Sequence, residues 1–132
     1  MSKKTEKRAE KYLISKFKND KYKFFEKQPE EEGFDLWMEN IKTKRKTKIE
    51  LKSTEGKFSK NSDIFQKLCF NMENEVENFE QGITKILRIF MGNNPPRIFI
   101  FDKNILGKKA KFIKVYRATI KGKINYNAIE EI

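Results

Sequence analysis

Residues 97–102 read RIFIFD, a nearly unbroken apolar run of β-branched and aromatic residues that follows the helix-stopping GNNPP. A run this short and this apolar is a strand of the kind found inside sheets, covered on both faces. It predicts a central strand, and such a sheet needs helices to cover it. Ala9, Tyr12, Leu13 and Phe17 recur at helical spacing, which predicts a first helix over Thr5–Lys18. Ile64, Phe65, Leu68, Cys69 and Met72 predict helix over Asp63–Met72, and Val76, Phe79, Ile83, Ile86, Leu87 and Phe90 extend it over Glu75–Met91. These segments make one broken helix or two consecutive ones, ended by GNNPP.

Three further strands precede them. KYKFFEK (21–27) is short and aromatic, and QPEEEG after it marks a turn through Pro29 and Gly33. FDLWM (34–38) and KIELKST (48–54) are joined by the lysine-rich NIKTKRKTK (40–48), which predicts a hairpin. The tail alternates through KFIKVYRATI (111–120), turns at KGK (121–123) and continues through INY (124–126), an edge hairpin. The order is helix, three strands, helix, strand, then more strand. It predicts an α/β fold with one mixed central sheet flanked by helices. All 132 residues make one domain, with a core over about 5–103 and a C-terminal extension over 104–132.

Charge and absences narrow the function. The 30 lysines and arginines exceed the 19 acidic residues, giving a net charge of +11 that points to a polyanionic partner. Twelve phenylalanines are too many for a disordered basic tail. The chain has no histidine, which excludes Ser/His/Asp and Cys/His catalysis and histidine-bound zinc. Acid–base chemistry must then use carboxylates or lysine. The single cysteine, Cys69, sits among apolar neighbours in IFQKLCFNM and reads as a buried, inert thiol. No apolar run approaches the length of a membrane span, and MSKKTEKRAEK opens an amphipathic segment rather than an apolar leader. A soluble, cytoplasmic protein is expected.

In KIELKST, Glu50 and Lys52 project from one face and Ile49 and Leu51 from the other. A hairpin with FDLWM would bring the Asp35 carboxylate near Glu50. Two close carboxylates repel, and a divalent cation such as Mg²⁺ or Mn²⁺ relieves them, with the backbone carbonyl of Leu51 as a further oxygen ligand. Lys52 beside that site is suited to stabilising charge on a phosphate; use as a base would require its pKa to fall far below the usual value. The bland alternative is a cross-strand salt bridge on a solvated face. A second E-x-K, Glu55-Gly56-Lys57, reads as loop.

GFDLW followed by IELKST resembles the PD-(D/E)XK nuclease superfamily, whose restriction-endonuclease-like core is helix, three strands, helix, strand. The resemblance spans roughly residues 6–102 and implies Asp35 and Glu50 as metal ligands, with Lys52 assisting catalysis. Gly33-Phe34 stands before the aspartate where the motif has proline. The chain's small size and basic charge are similar to those of archaeal Holliday-junction resolvases and small restriction-type endonucleases. In the resolvases a glutamate of the first helix joins the metal, which implies Glu10 here, or Glu6 in second place.

The expected activity is that of a metal-dependent endonuclease hydrolysing phosphodiester bonds in DNA, structure-specific cutting included, with an RNase of the same metal chemistry as a further possibility and a homodimer as the arrangement that cuts two strands. The alternative is a catalytically inactive nuclease-fold module that binds nucleic acid or a protein. Lys42, Lys44, Arg45, Lys46 and Lys48 form the densest basic cluster and are the expected nucleic-acid contacts. Glu30, Glu31 and Glu32 read as a solvated acidic turn. Trp37 and the phenylalanines fall at strand and helix periodicities, which assigns them to the core rather than to base stacking.

Overall fold

A computed structural model describes residues 3–66, 68–70, 73–106, 111–114, 118–121 and 124–132. It is an α/β fold. Helix α1 (Lys3–Ser15) is followed by β1 (Tyr22–Glu26), β2 (Leu36–Asn40) and β3 (Lys46–Thr54). A 3₁₀ turn (Asn61–Phe65) and helix α2 (Glu73–Glu80) then lead to β4 (Thr84–Phe90) and β5 (Arg97–Phe101). The chain ends with β6 (Lys111–Lys114), β7 (Ala118–Lys121) and the two-residue β8 (Glu130–Glu131).

One six-stranded sheet runs in the order β1-β2-β3-β4-β5-β8. Its neighbours are antiparallel except β3 and β4, which are parallel and joined by the crossover through α2. The parallel pair therefore sits at the centre, where strand alternation feeds two cores. Ile49 and Leu51 of β3, Leu87 and Ile89 of β4, and Ile98 and Ile100 of β5 pack with Ala9 and Leu13 of α1. From the opposite face, Ile86, Phe90, Phe99 and Phe101 pack with Val76 and Phe79 of α2. Fully burying one such side chain contributes about 1.5–3 kcal/mol, so the two helices are held by their apolar stripes. Among the described residues no helix is long and apolar enough to cross a membrane.

Several expectations are corrected. The helix expected over Glu75–Met91 stops at Glu80, and its second half is the buried strand β4. Gly82, at φ +77°, turns the chain out of the helix, and β-branched Thr84, Ile86 and Ile89 favour extended backbone. Ile86, Leu87 and Phe90 fit a helical stripe because a strand buried on both faces also places apolar residues at those intervals, whereas Ile83 precedes β4 and is exposed. The helix expected over Asp63–Met72 is the 3₁₀ turn, in which the Asp63 carboxylate accepts the Ser59 and Lys60 N–H groups at 2.8 and 3.0 Å. Its Met72 lies outside the described residues. Strand 97–102 is not central: β5 lies between β4 and the short β8, and GNNPP is the connection of a β4–β5 hairpin.

The tail hairpin is also displaced. β6 pairs with β7 in a separate two-stranded sheet, and Lys121, expected in the turn, closes β7. Residues 115–117, inside the strand expected over 111–120, and Gly122 and Lys123 lie outside the described residues, and Tyr126 belongs to a 3₁₀ turn. Cys69 is half-buried rather than buried.

Gly92, in the β4–β5 connection, crosses the end of β3 closely. Its N–H donates to the Gly56 carbonyl at 3.1 Å, and an added Cβ would lie 2.5 Å from the Glu55 oxygen and 2.6 Å from the Gly56 oxygen. Gly92→Ala is therefore expected to cost about 1–3 kcal/mol in denaturant unfolding. Gly56→Ala, whose Cβ would meet only the Thr54 hydroxyl at 3.5 Å, should unfold like the wild type.

Candidate active site

The β2–β3 hairpin forms as expected, with Leu36 opposite Ile49 and Trp37 opposite Lys48. Asp35 falls just before β2 instead of inside it. Its N–H donates to the Ile49 carbonyl at 2.8 Å, and its carboxylate accepts the Leu51 N–H at 2.7 Å. The side chain thus replaces a strand partner, which fixes the carboxylate against β3. A strand residue turns its N–H and C=O toward the same edge, so the Leu51 carbonyl faces the edge that holds Asp35.

Glu50 and Lys52 share the opposite face from Ile49 and Leu51, as the alternation requires, and both are buried. The Lys52 ammonium lies 3.5 Å from the Glu50 carboxylate and 2.7 Å from that of Glu75. It also stands 5.2 Å from the centre of the Phe70 ring. Glu75, from the first turn of α2, is a site residue that the sequence reading passed over. The signal was available: it opens the helix that follows the E-x-K strand, where a carboxylate can reach back to the sheet.

Carboxylates outnumber cations here, and the site's electrostatics follow. Burial, then the Asp35 carboxylate, push Glu50 up to about 9. Burial likewise raises Asp35, against the Leu51 hydrogen bond. For Lys52, burial favours the neutral form, but the carboxylates of Glu50, Glu75 and Asp35 outweigh it and the net shift is upward. A lysine held charged in this way suits electrostatic stabilisation and not proton abstraction.

Helix α1 presents Glu6 and Glu10, one turn apart, to the same edge. Both are raised by burial and then by Asp35, but only Glu6 also feels Lys52 and Glu75, whereas Glu10 faces Glu26 and Lys27. Glu6 is therefore nearer the centre of the charge cluster. Among the described residues no three carboxylate or thiol side chains form a ready cation cage. The donors present still fit a hard divalent ion: Asp35 and Glu50 supply carboxylates, Leu51 a carbonyl, and Mg²⁺ commonly keeps several waters and uses one or two carboxylates. A cation there would also relieve the surplus negative charge.

Arg88 on β4 lies beside Lys52 in the parallel register and is also buried. Its guanidinium donates to the Gln66 carbonyl at 2.8 Å and reaches the Lys52 carbonyl at 3.5 Å, while Nε has no hydrogen-bond partner among the described residues. Burial lowers it to about 10. It ties the segment before α2 to the strand that carries Lys52. The helix expected over Glu75–Met91 hides Arg88, because a helical stripe does not place it opposite Lys52.

The other expected contacts are dispersed. Lys42, Lys44 and Arg45 are exposed at the hairpin tip, where the Asn40 side chain accepts the Lys42 and Thr43 N–H groups at 3.1 Å. Lys46 and Lys48 instead lie on β3, on the same face as Glu50. Glu55 is past β3 and accepts hydrogen bonds from Thr5 and Arg8 of α1, consistent with a loop residue. Within the acidic turn, Glu31 accepts the Trp37 indole N–H at 3.2 Å. No protein-family model, curated protein or solved structure matches this chain.

The raised carboxyls set the pH dependence of stability. Glu50 keeps its proton in the folded chain between the ordinary value of 4.5 and about 9, whereas the unfolded chain has released it. The folded state binds more protons across that window, so stability falls as pH rises. In EDTA, unfolding free energy should drop by on the order of 1 kcal/mol per pH unit between pH 6 and 8. Glu50→Gln, which mimics the protonated acid, should flatten that slope in denaturant titrations.

Proposed function

We propose that the chain is a metal-dependent nuclease that hydrolyses phosphodiester bonds, in DNA, at Asp35, Glu50 and Lys52. One observation carries the reading: the carboxyl groups of Asp35, just before β2, and of Glu50, on β3, meet beside a buried lysine held in its charged form. A solvated cross-strand salt bridge would leave these groups exposed. The element order supports a restriction-endonuclease-like core, because the helix, three strands, helix and strand precede any additions. The sixth element of that core is β4, parallel to β3, with β5 and the tail as extensions.

Asp35, Glu50 and the Leu51 carbonyl would hold Mg²⁺ or Mn²⁺. The ion would supply Lewis-acid polarisation of a phosphoryl oxygen and a lowered pKa for a bound water. Lys52 donates toward the phosphate, countering negative charge as water adds to phosphorus and the bond to the leaving oxygen breaks. Glu75 holds that ammonium in place from α2 and is a positioning residue. A homodimer would present two such sites to two strands.

The test is cleavage of labelled duplex, single-stranded and four-way-junction DNA with Mg²⁺ or Mn²⁺. Asp35→Ala and Glu50→Ala should each lower the rate on the order of 100-fold or more, while DNA binding in EDTA persists. Wild-type cleavage by Glu50→Ala would overturn the proposal. Binding without cleavage by the wild type on any substrate would assign the chain to a nucleic-acid-binding module instead. Glu75→Gln should reduce the rate roughly 10–100-fold, with Mn²⁺ affinity retained in a calorimetric titration.

A further inference from the structure

Among the described residues, the face of the sheet that carries Glu50 and Lys52 is only half covered. Helix α2 packs on it over β4, whereas α1 packs against β1 and β3 from the opposite side. Over β1 and β2 the same face presents side chains in two cross-strand rows. Phe25, Trp37 and Lys48 stand opposite one another in the register, and Lys23, Glu39 and Lys46 form the next row.

The rows are basic and aromatic together. Phe25 and Trp37 are half-buried, contrary to the expectation that they belong to the core, and neither joins the buried clusters. The ammonium groups of Lys23 and Lys46 lie 5.4 and 5.8 Å from the Phe25 ring centre, and that of Lys48 lies 5.8 Å from the Trp37 ring. The Phe34 ring meets Trp37 edge-on at 4.9 Å, and the Trp37 indole N–H is engaged by Glu31. Both contacts fix the indole plane without covering the whole ring. Along β3, Lys48 precedes Glu50 by two residues, so the aromatic row lies one side-chain step, roughly 7 Å, from the carboxylates.

From this arrangement we infer that the β1–β2–β3 face binds an unpaired nucleic-acid strand, with bases stacked on Trp37 and Phe25 and phosphates held by Lys23, Lys46 and Lys48. The inference rests on the nuclease reading for its purpose and extends it by naming a single-stranded or locally opened substrate. Rings and lysines in alternation suit that occupant. An aromatic face accepts any base, and cations spaced along it track the backbone. A paired duplex hides the base faces that the rings would meet and can use the lysines only. A base stacked on Trp37 would carry its neighbouring phosphate toward Glu50, joining the binding face to the candidate site.

Trp37 is the chain's single tryptophan, so its fluorescence reports on the face directly. The wild type is titrated in EDTA with oligo-dT, oligo-U and a blunt duplex, following Trp37 emission and the anisotropy of labelled strands. Saturable quenching by the single strands, and weaker quenching by the duplex at equal occupancy, is the expected result. Preference between oligo-dT and oligo-U identifies DNA or RNA as the source of the strand. Phe25→Leu keeps the apolar bulk but removes the ring, and should weaken single-strand binding roughly 5- to 100-fold. Binding that leaves Trp37 emission unchanged, wild-type affinity in Phe25→Leu, or no single-strand binding would each overturn the inference. Metal-dependent cleavage without a Trp37 response would reject this face and keep the nuclease. Quenching without cleavage on any substrate would do the reverse.

Discussion

A buried ammonium organises the centre of this molecule. Lys52 sits on β3, one of the two central strands, at a buried position that α2 covers, where an unpaired charge is strongly destabilising. Its cost is offset by the Glu75 carboxylate, which reaches it from α2 at 2.7 Å, while the Glu50 carboxyl lies 3.5 Å away along the same strand. The ion pair to Glu75 therefore sets where the first turn of α2 rests on the sheet. Phe70 and Phe79 then pack beside it, so the apolar core on that side is built around a polar centre. Replacing one partner would leave the others buried without compensation, which makes the group hard to alter piecemeal.

The cluster is also unbalanced. Glu6, Asp35, Glu50 and Glu75 gather around the Lys52 ammonium, and the guanidinium of Arg88, the register neighbour of Lys52, is turned to backbone carbonyls. A fold selected for stability alone would pair that guanidinium with one of these carboxylates. Instead Arg88 braces the segment before α2, and the negative surplus stays at the edge where Asp35 meets Leu51. Holding carboxylates in such a state costs stability, as strained or charge-starved arrangements at functional sites generally do. That cost is the physical ground for treating the group as a site rather than as a structural salt bridge.

Much of this was legible in the sequence, and the failures have specific causes. The alternation in KIELKST placed Ile49 and Leu51 on one face and Glu50 and Lys52 on the other, because strand geometry allows nothing else. The lysine-rich connection gave the β2–β3 hairpin and brought Asp35 to β3. TKILRIF misled because a strand buried on both faces has no alternation, and its Ile86, Leu87 and Phe90 fall on a helical stripe as well. That one error hid Arg88 and moved the centre of the sheet from β4 to β5. Glu75 was missed for another reason: its place early in the helix after the E-x-K strand is a signal only once the crossover between β3 and β4 is seen to bring α2 over Lys52. Trp37 and Phe25 were assigned to the core because periodicity says which face a residue takes, not whether anything covers that face.

Strand β3 joins the two halves of the functional reading. Lys46, Lys48, Glu50 and Lys52 occupy every second position along it, so the lysines of the proposed strand-binding face and the groups of the candidate site form one line on one face. Their spacing follows from backbone pleating and does not depend on loop conformation. A one-residue slip in the pairing would turn all four into the core beneath α1 and expose Ile49 and Leu51. The register is locked against that slip by the apolar pair on the inner face and by the Asp35 carboxylate on the Leu51 N–H. The contact that fixes the candidate ligand is thus the one that fixes the strand, so chemistry at Glu50 and contact at Lys48 are set by a single constraint.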